Sequence, residues 1–390
     1  MDNKGKILII IGANEFQNPL ILTAKAMGYT THVFAWQSGD VGEHTADYFY
    51  PVSIVETDRI LDICRKLSPV GVVSIGSDLA AITVNYIAEN LGLTGNGMVS
   101  ALAATNKHLM RRAFEEAGLP SCKSRLVSSP AAAEGLDLEY PVIVKPTDRS
   151  GSRGVFKVTE PSQLPAAIEK AMGHSFEKKA LVEEFAPGRE YSIEYISWQG
   201  EHHFLACTEK FTTGAPLFVE TGHLQPPLHM TPDTLCRIKE LVPRVLDCLG
   251  IRFGASHTEL KIDETGQIRI IECGARMGGD CIGSDLVYIS RGIDYVAACV
   301  DTACGKEPDL RPRHASRISA IRFIFCQRDL DDLDYIRRSY PKAIYRQSDI
   351  LPLDGREISD SSTRYGFYIL SCETMEEMLE ILGHVDFDLN

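Results

Sequence analysis

The chain has 390 residues, which on a prior of roughly 100–200 residues per domain predicts two or three domains. Its composition, 44% hydrophobic and 24% charged, is that of an ordinary soluble globular protein. A formal net charge of −13 argues against wholesale binding to nucleic acid or to an anionic membrane, so an anionic ligand would need locally gathered Lys and Arg.

Residues 1–105 alternate strand and helix. Ile7–Ile11 reads as a fully buried strand, Pro19–Met27 as a helix closed by Gly28, and Thr30–Ala35 as a second strand. Ile60–Leu67 is a predicted helix, Gly71–Ile75 a buried strand and Asp78–Leu91 the helix after it. That rhythm predicts an α/β domain, a Rossmann-like parallel sheet with helices on its faces. Gly12-Ala-Asn-Glu15 lacks the glycine spacing of dinucleotide sites. The Gly76-Ser77-Asp78 turn sits at a strand's carboxyl end, where open α/β sheets bind ligands, and reads equally as a helix N-cap.

A capped helix from Thr105 to Gly118 marks the first boundary. Beyond it, Tyr140–Pro146 is a strand ending in Lys145, followed by the small-residue loop Ser150-Gly-Ser-Arg-Gly154. Such loops expose successive backbone N–H groups that can cradle phosphate, although an ordinary hairpin loop has the same composition. Ala180–Phe185 leads through Pro187-Gly188 into an alternating strand with Glu190, Ser192 and Glu194 on one face. Residues 205–211 form a further predicted strand, 212–227 a long Gly- and Pro-rich loop, and Thr231–Leu249 an amphipathic helix. A helix near Gly292–Cys304 follows. Residues 311–390 hold strands at Ser319–Cys326 and Arg364–Cys372 and a helix from Met375 to Leu382. Eleven cysteines without a Cys-x-x-Cys read as reduced thiols of a cytoplasmic protein. No apolar run approaches the roughly 20 residues that span a bilayer.

The richest stretch runs from His257 to Asp280. It reads as a hairpin turning at Thr265-Gly266, in which facing residues have numbers summing to 531, so that Glu259 stands opposite Glu272. Facing side chains lie about 4.5–5.5 Å apart and like charges there repel. A divalent cation between the two carboxylates would remove the conflict, and Mg²⁺ suits such oxygen donors. A slipped register on a solvated face is the plainer alternative. Arg276 follows four residues after Glu272, with Gly278 and Gly279 behind it.

The order of these features (a lysine helix, strand-Lys-Pro, a glycine loop, Glu-Glu-Phe, then Glu and Glu-x-x-x-Arg) resembles the ATP-grasp superfamily from Lys107 to Asp280. Within it, Phe218-Val-Glu220-Thr-Gly-His223 and Glu272-Cys-Gly-Ala-Arg276-Met-Gly-Gly-Asp280 look most like the L-amino-acid ligases, the bacilysin-synthetase-like enzymes that form dipeptides. The resemblance implies an α/β fold of three parts: residues 1–105 before the ATP-grasp domain, the ATP-grasp domain at 106–310 with a mobile lid over about 140–185, and a small C-terminal α+β domain at 311–390.

It also implies roles. Lys107 and Lys145 would contact ATP phosphates, and Ser150, Gly151, Ser152 and Gly154 would close over them. Glu183, Glu184 and Phe185 would line the adenine pocket, and Glu190 would take the ribose hydroxyls. Glu259 and Glu272 would hold one or two Mg²⁺ ions, with Mn²⁺ a substitute. Arg276 would hold the transferring phosphoryl group. Glu220, His223, Gly278 and Gly279 would meet the amino-acid substrates. The implied activity is an ADP-forming carboxylate–amine ligase that passes through an acyl-phosphate. Its partners would be small-molecule carboxylate and amine substrates, here amino acids, and a homodimer is compatible with it. Rival readings are a biotin-carboxylase-like or purine-pathway carboxylating enzyme, a D-alanine-type ligase, and a nucleotide-binding module without catalysis. One departure stands out: many superfamily members place an asparagine two residues after the second metal glutamate, where this chain has Gly274.

Overall fold

The computed structural model describes residues 3–215, 217–385 and 387; Pro216, inside the predicted 212–227 loop, lies outside them. The first unit is a parallel sheet of β1 (Ile7–Ile11), β2 (Thr30–Ala35), β3 (Tyr48–Pro51) and β4 (Gly71–Val73), in the order β3-β2-β1-β4. Alternation along β1 sends Leu8 and Ile10 to one core and Ile9 and Ile11 to another, so both faces are covered. This is why β1 reads as an unbroken apolar run. β3 and the helix Gly97–Ala103 are additions to the sequence reading. β3 is a short edge strand ending in proline, a weak local signal.

A second sheet holds β5 (Ser124–Val127), β6 (Val142–Pro146), β7 (Phe156–Val158) and β8 (Ala180–Glu184) in the order β5-β8-β6-β7, with antiparallel pairs. The helix Leu164–His174 packs on it, and Val142, Val144, Ile168 and Val182 share a core of their own. The sheet begins at Ser124, earlier than the cover expected over 140–185.

The third sheet has eight strands: β9 (Arg189–Trp198), β10 (Glu201–Thr212), β11 (Glu220–Gln225), β12 (Gly254–Ile262), β13 (Ile268–Gly274), β14 (Ile318–Ile324), β15 (Ile344–Gln347) and β16 (Gly366–Cys372). Their order is β13-β12-β9-β10-β11-β14-β16-β15, antiparallel throughout. Two expectations change here. Part of the predicted 212–227 loop is β11, paired with β10 and β14; Gly and Pro around it hid a strand whose partners are distant in sequence. The strands of residues 311–390 continue this same sheet through β14 and form no sheet of their own.

Tyr191, Ile193 and Tyr195 of β9 face a core built with the helix Pro232–Cys248, where Ile238, Val242 and Val245 are fully buried. On the opposite face, Ile196 and Ala255 pack in another core, while the stretch around Glu190, Lys210 and Glu259 carries polar side chains, and there the site forms. All eleven cysteines are unpaired thiols, in keeping with their scattered spacing. Among the described residues no helix is long and apolar enough to cross a membrane.

Candidate functional site

The hairpin of β12 and β13 sets Glu259 directly opposite Glu272, as its residue numbers predict, but by a different route. At the tip the loop runs from Asp263 to Gln267, closed by Asp263 N–H donating to Gln267 O at 3.2 Å. The Asp263 carboxylate accepts from Thr265 N–H, the Thr265 hydroxyl and Gln267 N–H. Near the tip facing numbers therefore sum to 530, as in Lys261 opposite Arg269. A register shift between Glu259 and Leu260 then restores 531 at the carboxylates. Without that bulge Glu259 would face Ile271.

Pairing across neighbouring strands aligns Glu259 with Ser192 and both Lys210 and Lys261 with Glu190 on one face. A second shift, between Phe211 and Thr212, brings Glu220 opposite Thr212 and so to the side of Lys210. These side chains line a cleft whose other wall is the small sheet and the Arg149–Arg153 loop. Its volume with the open mouth is about 1080 Å³, room for a nucleotide.

Each carboxylate of the facing pair ends on a lysine. Glu272 Oε1 accepts from Lys107 Nζ at 2.8 Å, and Glu259 Oε1 from Lys210 Nζ at 2.6 Å. Lys210, buried, also reaches Glu190 at 2.8 Å and Glu220 at 3.6 Å. Burial would lower its pKa, but Glu190, Glu259 and Glu220 outweigh burial and hold it well above the usual lysine range. Burial would likewise raise Glu259, yet Lys210 and His257 keep it well below the ordinary carboxylate value. His257 bridges Glu259 Oε1, at 3.2 Å from Nε2, and the fully buried Glu194, which sits against Nδ1. Burial opposes a charge on this imidazole, but Glu194 and then Glu259 push its pKa up to about 9.

Lys145 Nζ lies 2.7 Å from Glu183 Oε2, and the same carboxylate takes Arg111 through Nε at 2.9 Å and Nη2 at 3.3 Å. Arg111 is four residues after Lys107, on one face of the helix Lys107–Glu116. Glu183 does line the cleft, but its carboxylate anchors Lys145 and Arg111. Glu184 also lines the cleft, and its carboxylate accepts from Lys123 N–H at 3.1 Å. Phe185 carries Lys157 Nζ 3.9 Å above its ring and Lys261 at 5.6 Å.

In the glycine loop, Gly151, Ser152 and Gly154 all have positive φ. Ser150, Gly151 and Ser152 line the cleft, and the Ser152 hydroxyl donates to Phe218 O at 3.0 Å. Gly154 packs elsewhere: a Cβ there would come within 2.8 Å of His174. Gly154 is outside the cleft lining, although its neighbours Arg153 and Val155 belong to it.

Glu220 lines the cleft and accepts from Ser361 Oγ at 3.1 Å. His223 does not reach the cleft. It is buried, 3.8 Å from Asp280 Oδ2, edge-on to Phe323, and neither ring nitrogen has a hydrogen-bond partner among the described residues. Asp280 is held by both terminal nitrogens of Arg364, at 2.7 and 2.9 Å. Gly278 and Gly279 also stand outside the cleft lining. Gly278 N–H donates to Glu194 Oε2 at 3.0 Å, and a Cβ at 278 would press on Glu194 and His257 at 2.7 and 2.8 Å. Gly278 is thus a close-packing position, whereas a Cβ on Gly279 would meet only Gly76 O at 3.9 Å.

Arg276 lines the cleft and forms a two-point pair with Asp78, Nε to Oδ1 at 2.7 Å and Nη2 to Oδ2 at 3.1 Å. Asp78, Lys210, Arg111 and the Glu194–His257 pair are the site residues the sequence reading did not assign. A lysine inside the predicted strand 205–211 was the available signal for Lys210; Asp78 stood in the Gly76-Ser77-Asp78 turn noted at a strand's carboxyl end, but its partner, 198 residues away, was not readable.

The donor set fits a hard divalent cation. Two carboxylates face each other at the cleft wall, and each accepts hydrogen bonds through Oε1. Among the described residues no group of three or more His, Cys, Asp or Glu gathers as a protein cage. The facing pair of carboxylates is a donor set that Mg²⁺ accepts, since it commonly takes one or two carboxylates and completes its shell with phosphate oxygens and water.

Comparison with known proteins places residues 138–285 in a match to the ATP-grasp domain family. Alanine–anticapsin ligase of Bacillus subtilis is 29% identical over 308 residues, 70% of this chain and 64% of that protein. The chain thus spans somewhat under two thirds of that relative's length. D-alanine–D-alanine ligase B of Chromobacterium violaceum is 29% identical over 205 residues, 50% of this chain and 66% of that one. The crystal structure of an L-amino acid ligase from Bacillus licheniformis superposes with a TM-score of 0.83 at 23% identity, over 98% of this chain and 97% of that one, which shows a shared fold.

Proposed function

From a chain that carries an ATP-grasp domain and is similar to L-amino-acid ligases, we propose an ATP-dependent ligase that joins the carboxylate of one amino acid to the amine of another. The observation that supports this most is the Glu259–Glu272 pair, each carboxylate ending on a lysine, with Arg276 at the same wall. A carboxylate resists attack because of its charge, and phosphorylation removes the charge and creates a leaving group.

Lys107 and Lys145 offer ammonium groups to phosphate oxygens, and the Ser150–Ser152 backbone offers N–H groups above them. Phe185 and the adjoining backbone fit an adenine ring, and Glu190 can accept from ribose hydroxyls. Mg²⁺ held by Glu259 and Glu272, as one ion or two, would neutralise the phosphates. The substrate carboxylate oxygen then attacks the γ-phosphorus, the bond to the bridging oxygen breaks, and ADP leaves. Arg276 stabilises the charge spread over the transferring group. In the second step the amine nitrogen attacks the acyl carbon, the carbon–oxygen bond to phosphate breaks, and the amine gives up a proton. Glu220, held by Ser361 and Lys210, is suited to receive a substrate ammonium. His223, buried beside Asp280 and Phe323 and outside the cleft lining, is given no direct part in either step. The unpaired thiols accord with a reducing, cytoplasmic setting.

Phosphate release from ATP over a panel of amino-acid pairs, with products read by mass, tests the reading. Full turnover should need two amino acids and yield a dehydrated dimer. Release that needs bicarbonate, or no release with any pair, would reject it.

A further inference from the structure

Asp78 is the first residue of the helix Asp78–Leu91, whose cap is Ser77, with Oγ accepting from Ala80 N–H at 3.3 Å. A carboxylate in a first helical turn is ordinarily drawn to the helix's own N–H groups. Asp78 is turned away from them and gives both oxygens to Arg276. The two loops lie in van der Waals contact: Gly76 has φ +65°, which favours glycine, and a Cβ on it would stand 3.7 Å from Gly279 Cα.

A guanidinium has five N–H donors in a fixed plane. Asp78 takes one on Nε and one on Nη2, and Met277 O takes one on Nη1 at 3.2 Å. One N–H on each terminal nitrogen remains, on a plane that can no longer turn. The missing side chain at residue 274 belongs to the same arrangement. A Cβ on Gly274 would lie 3.0 Å from Asp78 Oδ1, 3.3 Å from Arg276 Nε and 3.4 Å from Cζ. The Asp78–Arg276 pair therefore fills the space in which a side chain at 274 would stand.

We infer that Asp78, from the first parallel-sheet unit, is a positioning residue that fixes the direction of Arg276, and that Gly274 is the vacancy this pairing needs. The inference rests on the ligase reading for its kinetic consequence, but the pairing itself stands apart from it. The first unit thereby does more than pack: it sets the angle at which Arg276 meets the transferring group.

The test uses the full chain and three variants, Asp78→Asn, Gly274→Ala and the double. Asparagine keeps the shape and one acceptor but turns N–H groups toward a donor; alanine at 274 pushes on Oδ1 from a different strand. Each single variant should lower kcat about 10- to 100-fold. ADP affinity by calorimetry should stay within about twofold, and the double should be little worse than either single, because the residues act as one unit. The Arg276 Nε–H proton, read by ¹⁵N NMR, should exchange faster with water in both single variants. Unchanged kcat in both, additive losses in the double, or an unchanged Arg276 Nε–H would overturn the inference. Loss of ADP binding along with melting temperature would overturn it too, leaving Asp78 a fold support. If the wild type turns over no amino-acid pair, the ligase reading fails, while the Nε–H exchange still decides whether Asp78 holds Arg276.

Discussion

On the large-sheet wall of the cleft, Glu259, Glu272 and Arg276 each end in an ion pair with a buried partner. On the facing wall, the glycine loop meets the rest of the chain through the Ser152 hydroxyl on Phe218 O and through Gly154 against His174. The first wall is fixed by paired charge in a dry environment, where removal of one partner strands the other. On the second, the small sheet carries its own buried Glu183–Lys145 pair, but the loop above it is held by single contacts. One is neutral and of modest worth, at Ser152, and one is charge-assisted, from Lys107 Nζ to Arg149 O at 2.7 Å. A site that must both align phosphates and admit a nucleotide needs these two characters on opposite sides.

Breaking the rigid wall should have the largest effect. Lys210→Met leaves Glu190, Glu220 and Glu259 facing one another without their shared cation, and should cost about 3–5 kcal/mol in chemical denaturation. A loss below about 1 kcal/mol would show that the three carboxylates do not depend on it. Arg276→Lys keeps the charge but not the planar fork, and should lower kcat about 10²–10³-fold while ATP still binds. Wild-type turnover in that variant would remove Arg276 from the chemistry.

The Glu183 hub sharpens the contrast through pH. Burial would raise its pKa, but Arg111 and then Lys145 outweigh that and hold it below the model-compound value of 4.5. The unfolded chain therefore takes up the proton first as pH falls. The stability this group gives is present above about pH 4.5 and is lost as pH drops through the lower folded value. Melting temperature should fall along that acid limb, and Glu183→Gln should flatten it. An identical limb in the variant would place the titration elsewhere.

The smallest effect belongs to the glycine loop. Ser152→Ala removes one neutral hydrogen bond, about 0.5–1.5 kcal/mol, and should raise KM for ATP a few-fold with melting temperature nearly unchanged. A large drop in melting temperature would mean that the loop is structural.

Legibility in the sequence followed the range of the interaction. The β1 run, the helix Asp78–Leu91 and the facing of Glu259 with Glu272 were readable, because period, caps and hairpin arithmetic act over few residues. The bulge that delivers that facing was not, since it compensates a longer turn built by the Asp263 side chain. Partners far along the chain left no local mark: Asp78 on Arg276, Arg111 on Glu183, and β11 between β10 and β14. Gly278 and Gly279 entered with the motif around Arg276, and the contact of Gly278 with Glu194 and His257 could not be read from that motif.

The most direct measurement of the central claim follows oxygen. With ¹⁸O in the carboxylate of the first amino acid, attack of that carboxylate on the γ-phosphorus carries one labelled oxygen into the phosphate released with ADP. The account predicts labelled phosphate in step with product. Unlabelled phosphate, or AMP with pyrophosphate, would contradict it.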